Sequence, residues 1–386
     1  MKPKHRLLRI CFYSLAILAI IGILCVGFIR LRYGGGSTDF PISAGAPIDS
    51  AFALQTVADL DVPPGNIAVS GSGRIFFSYH PEAGPNIRVA ELKNGEPGPY
   101  PSESFQGPKK GKAAYFDTVL SLRIDRRGRL WTLDLARHGI GQPRLLAFDL
   151  STDELVHQFA FPDRCAGFGS HLNDFQVSPD GRTIYIADAS IIAKNPAILV
   201  YDTETRNCRR LLESHPSVIP APFIPVVQGR KMHIFGLFAV RPGVDSIALS
   251  PDGEWLYYAA VTSPYMYRVR TRHLKNPELS SKELGGRATT FARKPMSDGL
   301  TMDLSGNIYI TAFADSAIVR MAPDGSLTPL VHTRRLRWPD GLGFGPDGYL
   351  YVTCSALHQV IGKSWKEESP FQIYRFKPGG KGIPGH

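Results

Sequence analysis

An all-β fold, a six-bladed β-propeller preceded by one N-terminal transmembrane helix, is predicted by three features of this sequence. A strand–turn–strand pattern recurs six times, each copy turning on a glycine. The chain is rich in Gly (38) and Pro (31), which favours many turns over long helices. One uncharged stretch of 20 residues, Ile10 to Ile29, stands ahead of the first repeat.

The apolar stretch is mostly Ile, Leu, Ala, Phe and Val, and at about 1.5 Å per residue it crosses a hydrocarbon core of roughly 30 Å. Lys2, Lys4, Arg6 and Arg9 precede it and Arg30 and Arg32 follow, with no acid among residues 1–32. The positive-inside bias puts the basic tip (1–9) in the cytoplasm and the rest of the chain outside, periplasmic or extracellular. A cleaved signal peptide is shorter and ends on small residues. Here the stretch ends at Phe28-Ile29-Arg30-Leu31-Arg32, so residues 10–29 read as an uncleaved signal anchor in the cell (inner) membrane. Those six basic residues take most of the formal charge of +10 and leave +4 for the remainder. No dense basic run with interleaved aromatics remains, which argues against a nucleic-acid partner. Residues 30–50, ending in YGGGSTDFPISAGAPIDS, read as a flexible tether, and 51–386 as the propeller.

The repeats are NIAVSGSGRIFFSYH (66–80), LSLRIDRRGRLWTLD (120–134), NDFQVSPDGRTIYIAD (173–188), DSIALSPDGEWLYYAA (245–260), DGLTMDLSGNIYITAF (298–313) and DGLGFGPDGYLYVTCS (340–355). Each alternates apolar and polar residues about a glycine placed where a tight hairpin needs positive φ: Gly73, Gly128, Gly181, Gly253, Gly306 and Gly348. An aromatic follows three or four residues later: Phe76, Trp131, Tyr185, Tyr257, Tyr309 and Tyr351. The glycines are spaced by 55, 53, 72, 53 and 42 residues, near the period of a four-stranded blade. One hairpin cannot bury its apolar face alone, whereas stacked blades bury a continuous core. The longest step contains a Pro-rich, apolar segment, 211–243, expected to pack at the mouth of the central channel or to form a surface arm.

Eight residues before the turn glycines stand Gly65, Leu120, Asn173, Asp245, Asp298 and Asp340, each at the start of a first strand. First strands line a propeller's channel, so the amide and carboxylates are expected to converge at one mouth. Asn66 and Asp117 lie near this register in the two blades that miss it, and Asp174 adds another acid. Convergent carboxylates call for a cation, a basic ligand or raised pKa values. An oxygen-only set suits Ca²⁺ or another hard divalent ion. The bland reading is that each Asx caps its own turn. His171 is placed to reach the channel, whereas His80, His138, His233 and His358 follow strands or lie in loops, where structural roles are expected. Cys11 and Cys25 fall in the anchor and Cys354 in a strand. Cys165 and Cys208, both in loop-like sequence, form a candidate disulfide in an oxidising compartment.

Several segments together resemble the major royal jelly/yellow protein family. They are FDTVLSLRIDRRGRLWTLDLA (116–136), GVDSIALSPDGEWLYYA (243–259), SDGLTMDLSGNIYITAFADSAIVRMAPDG (297–325), LRWPDGLGFGPDGYLYVTCSALHQ (336–359) and PFQIYRF (370–376). HLNDFQV with SPDG resembles bacterial members, often described as related to gluconolactonases. The resemblance implies a six-bladed propeller, secretion and a ligand pocket at the central channel. Insect relatives include small-amine binders and proteins linked to dopachrome conversion. Sister gluconolactonase and regucalcin propellers hold a divalent metal through a Glu, two Asn and an Asp. By that resemblance Asn173, Asp245 and Asp298 are candidate metal ligands, with Asp298 also the candidate base. Asn66 stands nearest the missing Glu.

Two functions follow as expectations. The first is an extracytoplasmic module holding a small-molecule ligand through Asp117, His171, Asn173, Asp245, Asp298 and Asp340. The alternative is a divalent-metal-dependent lactonase or isomerase with Asp298 as general base. The topology is directly testable. A reporter active only outside the cytoplasm is expected to work when fused after His386, and activity of a cytoplasm-only reporter there would overturn the orientation.

Overall fold

The computed structural model describes residues 3–46, 54–108 and 114–386. Residues 1–2 of the basic tip, 47–50 of the tether and 51–53 at the start of the propeller lie outside the described residues.

Six four-stranded antiparallel sheets form the blades of a propeller. Blades one to five occupy 64–99, 119–160, 172–211, 244–293 and 300–332, their strands running in chain order from the axis outwards. The sixth is built from both ends of the propeller. Pro339–Phe344, Leu350–Cys354 and Phe371–Phe376 receive Gln55–Leu60 as their outermost strand, with Gln55 opposite Arg375 and Leu60 opposite Phe371. This pairing closes the ring, so the sheets stack without an open end.

The hairpin glycines take φ between 69° and 85°, as the repeat requires. Five of the six following aromatics are buried. In the fourth blade Tyr257 is half-buried and its neighbour Tyr258 takes the core position. Three of these rings also fasten their own turn. The Trp131 indole N–H donates to Asp125 (2.8 Å), and the Tyr309 and Tyr351 hydroxyls donate to Asp303 (3.0 Å) and Asp347 (2.9 Å). The core lies between blades: Trp131, Leu133, Phe175, Ile186 and Tyr201 join the second to the third. Tyr309, Phe344, Leu350 and Val352 likewise join the fifth to the sixth.

The innermost strands carry an irregularity that positions the site. In five of the six, pairing with the second strand shifts register at the channel end: between Pro64 and Ile67, Val119 and Ser121, Leu172 and Phe175, Val244 and Ser246, and Pro339 and Leu342. A bulge re-aims a side chain and leaves backbone groups unpaired. Hydroxyls from second strands supply the missing partners. Asn66 N–H donates to Ser78 Oγ (3.0 Å) and Gly341 N–H to Thr353 Oγ1 (2.9 Å); in the fifth blade, which has no shift, Gly299 N–H donates likewise to Thr311 Oγ1 (2.7 Å). Ser78 Oγ in turn donates to Leu120 O at 2.7 Å, tying the first blade to the second. Glycine after Asp298 and Asp340 is a matter of room. A Cβ on Gly299 would lie 2.0 Å from Asp340 O, and one on Gly341 2.7 Å from the Asn66 Cα.

The helix Pro3–Tyr33 is long and apolar enough to cross a membrane, and its apolar stretch packs against nothing. It extends the expected 10–29 span at both ends. Of the expected tether, residues 34–40 lie against the 211–243 segment and Ala44 packs on the fifth blade, its N–H donating to Asp315 (2.9 Å). Ser37 bridges to Phe223, and the Phe40 and Phe223 rings meet at 5.1 Å. That segment forms two short hairpins, Val226–Val227 with Arg230–Lys231 and His233–Ile234 with Phe238–Ala239. The last residues cross the opposite end of the channel, where Ile124 N–H donates to Gly385 O (2.9 Å) and Phe344 N–H to His386 O (3.2 Å).

Cys165 and Cys208 share one buried cluster at neighbouring blade edges. The Cys165 Sγ–H donates to Cys208 O at 3.0 Å, so the two residues of the candidate disulfide lie side by side.

Ring closure yields a stability prediction. Leu60, on the closing strand, is 2% exposed and packs with Phe77, Tyr351 and Ile373. Leu60→Ala is expected to destabilise the protein by about 2–4 kcal/mol. Val156→Ala, at a position 50% exposed on an outer strand of the second blade, is expected to stay within about 0.5 kcal/mol. Thermal unfolding of the two variants checks the contrast, and equal effects would refute the role given to the closing strand.

Candidate functional site

A cavity of about 870 Å³, open mouth included, occupies the channel end where the bulges lie. Asn66, His171, Asn173, Asp245, Asp298 and Asp340 all line it, so the polar register does converge at one mouth. Asp117 does not join them. It lines a separate surface hollow, its carboxylate 3.2 Å from Arg137 Nε.

The fourth, fifth and sixth blades contribute the acids. Asp245 is buried, and its Oδ1 has no hydrogen-bond partner. Burial, then the nearby charges of Asp298, Asp174 and Asp340, hold its pKa well above the ordinary carboxylate range. Asp340 is pushed the same way by burial and Asp298, and Ser355 hydrogen-bonds to it in opposition. Asp298 Oδ2 accepts the Trp338 indole N–H at 2.6 Å, yet burial still raises its pKa to about 6. Trp338 stacks on Phe313 with centroids 4.3 Å apart, giving the acidic side an aromatic wall. Behind it Lys294 is fully buried, and burial lowers its pKa to about 7 against the attraction of Asp245.

The first three blades contribute cations and imidazoles. Arg123, 1% exposed, donates from Nη2 to Asp174 Oδ2 (2.8 Å) and from Nη1 to Asn66 Oδ1. Even so, burial outweighs Arg123 and lifts Asp174 to about 6. His80 and His138 also line the cavity, which corrects the expectation of purely structural roles for them. The His138 and His171 rings stack at 5.5 Å, and His138 Nε2 lies 3.5 Å from Glu82 Oε1. Burial, then the neighbouring imidazoles, hold His80 and His171 at about 3, and His171 Nδ1 is buried without a partner. His358 lies behind Trp338, the rings parallel at 6.4 Å, and His233 sits in a short hairpin of the 211–243 segment. Pro225, Val240 and Pro242 of that segment form part of the rim.

The metal set suggested by the sister propellers does not close here. Asn66 spends its carbonyl oxygen on a guanidinium, so a cation beside it would face Arg123 at contact range. Among the described residues no group of three or more His, Cys, Asp or Glu side chains is arranged to hold a metal ion.

Solved six-bladed propellers share this fold at low sequence identity. A luciferin-regenerating enzyme superposes with TM-score 0.56 at 13% identity, over 87% of this chain and 98% of that one. A gluconolactonase from Xanthomonas campestris gives 0.54 at 13%, over 90% and 99%. A calcium-binding regucalcin from Agrobacterium tumefaciens gives 0.53 at 16%, over 89% and 99%. The match to the major royal jelly protein family model runs over residues 117–377, and the chain belongs to that family. Among its relatives, major royal jelly protein 3 of Apis mellifera is 27% identical over 249 residues, 60% of this chain and 43% of the relative. Major royal jelly protein 1 of the same species is 26% identical over 251 residues, 60% and 55%. The chain thus spans about half the length of the curated relatives it matches.

The raised carboxylates set a pH dependence. Folded Asp298 keeps its proton up to about pH 6, whereas the unfolded group releases it near 4. The folded state therefore binds more protons across that window, and its contribution to stability falls as pH rises through it. Asp298→Asn keeps an acceptor for Trp338 and removes the charge. It is expected to stabilise the protein at pH 8 by about 1 kcal/mol, discounted because the group opens onto the cavity, and to have little effect near pH 4. Thermal unfolding at both pH values checks this, and destabilisation at pH 8 would contradict it.

Proposed function

We propose that this chain is a membrane-anchored, extracytoplasmic binding module whose central cavity holds a small organic cation with an apolar body. The observation that carries the reading is the concentration of Asp245, Asp298 and Asp340 on one side of the cavity, with Asp245 Oδ1 buried and unpartnered. An ammonium group placed there would hydrogen-bond to that oxygen and relieve the mutual repulsion. The Trp338 and Phe313 rings, with Leu357 and Ile361, offer an apolar and cation-attracting wall for the rest of the ligand. His138 and His171, on the opposite side, suit a hydroxyl or carbonyl at its far end. The helix Pro3–Tyr33 supplies the anchor.

The test is a thermal-shift and calorimetric panel of primary amines, each matched with the alcohol of the same skeleton. Amines are expected to stabilise the protein and alcohols not to. Asp245→Asn is expected to weaken amine binding at least about tenfold, the range for losing a charge-assisted hydrogen bond. Indifference to every amine, with Asp245→Asn silent, would refute the reading. Stabilisation by Ca²⁺ instead, with chelator-sensitive lactone hydrolysis, would favour the metal-dependent lactonase.

A further inference from the structure

The helix ends on a second, basic hollow, away from the central cavity. Arg32 and Tyr33 of its last turn dock on a loop of the third blade. Arg32 Nη2 donates to Ala193 O at 2.8 Å, and the Tyr33 hydroxyl to Ile192 O at 3.1 Å. Lys194 of the same loop holds its amine 5.3 Å from the Tyr33 ring centre. Arg241, from the 211–243 segment, reaches in from the other side and donates to Gly34 O and to Ala221 O, the latter at 3.3 Å. Arg32, Lys194 and Arg241 together line a hollow of about 710 Å³ with Ser190, Pro196 and Ile219.

Nothing anionic offsets this group. The ion pairs among the described residues involve none of the three. Arg241 Nε is buried without a hydrogen-bond partner. Burial, then the charges of Arg241 and Arg32, lower the Lys194 amine to about 8. Three cations gathered at such a cost describe a receptor for an anion. The surroundings narrow its source. Ile192, Ile219 and Phe235 are exposed nearby, Phe235 at 89%, and Leu31 on the helix at 90%. Apolar side chains ringed about basic ones, where an apolar helix ends, match the interfacial zone of a bilayer.

We propose that Arg32, Lys194 and Arg241 form a headgroup site for an anionic phospholipid, seating one phosphodiester where the helix leaves the membrane. The site rests on the reading of the helix as membrane-spanning. The arginine N–H groups not spent on backbone carbonyls would bind the non-bridging oxygens, and the lysine adds a point charge. Arg32, on the propeller side of the span, thereby gains a task distinct from setting its orientation.

The full chain, reconstituted in phosphatidylcholine nanodiscs with or without phosphatidylglycerol, tests the site through its unfolding temperature and its affinity for fluorescent phosphatidylglycerol. Phosphatidylglycerol is expected to raise the unfolding temperature. Affinity is expected to fall about fivefold in Lys194→Gln and about 25-fold in Lys194→Gln/Arg241→Gln, following the usual worth of one interfacial charge. Lys194→Gln removes no backbone hydrogen bond, so its result stands even if the double variant folds poorly. Unchanged affinity in Lys194→Gln would overturn the site. Competition by inorganic phosphate as strong as by the lipid would overturn the lipid assignment in favour of a free anion. Carbonate extraction from phosphatidylcholine vesicles separates the underlying reading: release of the chain sinks anchor and site together, whereas retention without a phosphatidylglycerol preference sinks the site alone.

Discussion

Gln55–Leu60 pairs with Phe371–Phe376, bringing together residues as far apart in sequence as Gln55 and Arg375, 320 positions. The remaining architecture depends on that contact. Without it the sixth blade has three strands, and its hold on the first is left to the inner strands alone. The cost is the entropy of a long loop closure, which grows only slowly with the length of chain enclosed. The gain is a channel whose inner strands are held at fixed separation. Gly341 of the sixth blade lies against Asn66 of the first, and Thr353 Oγ1 donates to Gly65 O across the same seam. The acids of the last three blades face Arg123 and the imidazoles of the first three across a ring that this seam shuts.

That arrangement divides the cavity electrically. Arg123 pairs with Asp174 and occupies Asn66 on one side, while His80 and His171 stay uncharged at neutral pH because burial opposes their protonation. On the other side Asp245, Asp298 and Asp340 are partly balanced by the buried Lys294, the Trp338 N–H and the Ser355 hydroxyl, with no guanidinium among them. Replacing such buried charges with neutral groups of similar shape is often neutral or stabilising. A site that keeps them uncompensated has its stability and its affinity for a cation set by the same charges.

Much of this was legible in the sequence because the hairpin glycines, the aromatics behind them and the acids before them repeat in a fixed phase. The phase located Asp245, Asp298 and Asp340 without any structure. It worked less well where bulges intervene. In the third blade both Asn173 and Asp174 reach the cavity, because the register shift between Leu172 and Phe175 breaks the alternation of faces. Asp117 lies just before the inner strand Val119–Ile124 rather than within it, and turns to Arg137. Arg123 was missed for a different reason: an arginine in an alternating strand reads as a solvent-facing residue, and only three-dimensional closure reveals an acid and an amide waiting for it. His80 and His138 sit in connections that share no register, so no periodicity could bring them to His171.

The 211–243 segment joins the two ends of the argument. Pro225, Val240 and Pro242 form part of the cavity rim, while Phe238 packs on Tyr33 with ring centres 5.5 Å apart and Phe223 packs on Phe40. Arg230 ties the same segment to the sixth blade by donating to Ile361 O at 2.7 Å. Rim and helix end are thus mounted on one piece of chain, whose short hairpins and apolar contacts with Trp338 and Phe313 leave it little independent freedom. Any motion that widened the mouth would have to shift the docking of Tyr33 and Arg241 as well. Under the proposed anchoring, a rim fixed to the helix end would hold the cavity at a constant height and angle to the bilayer and so constrain the direction from which the proposed ligand arrives.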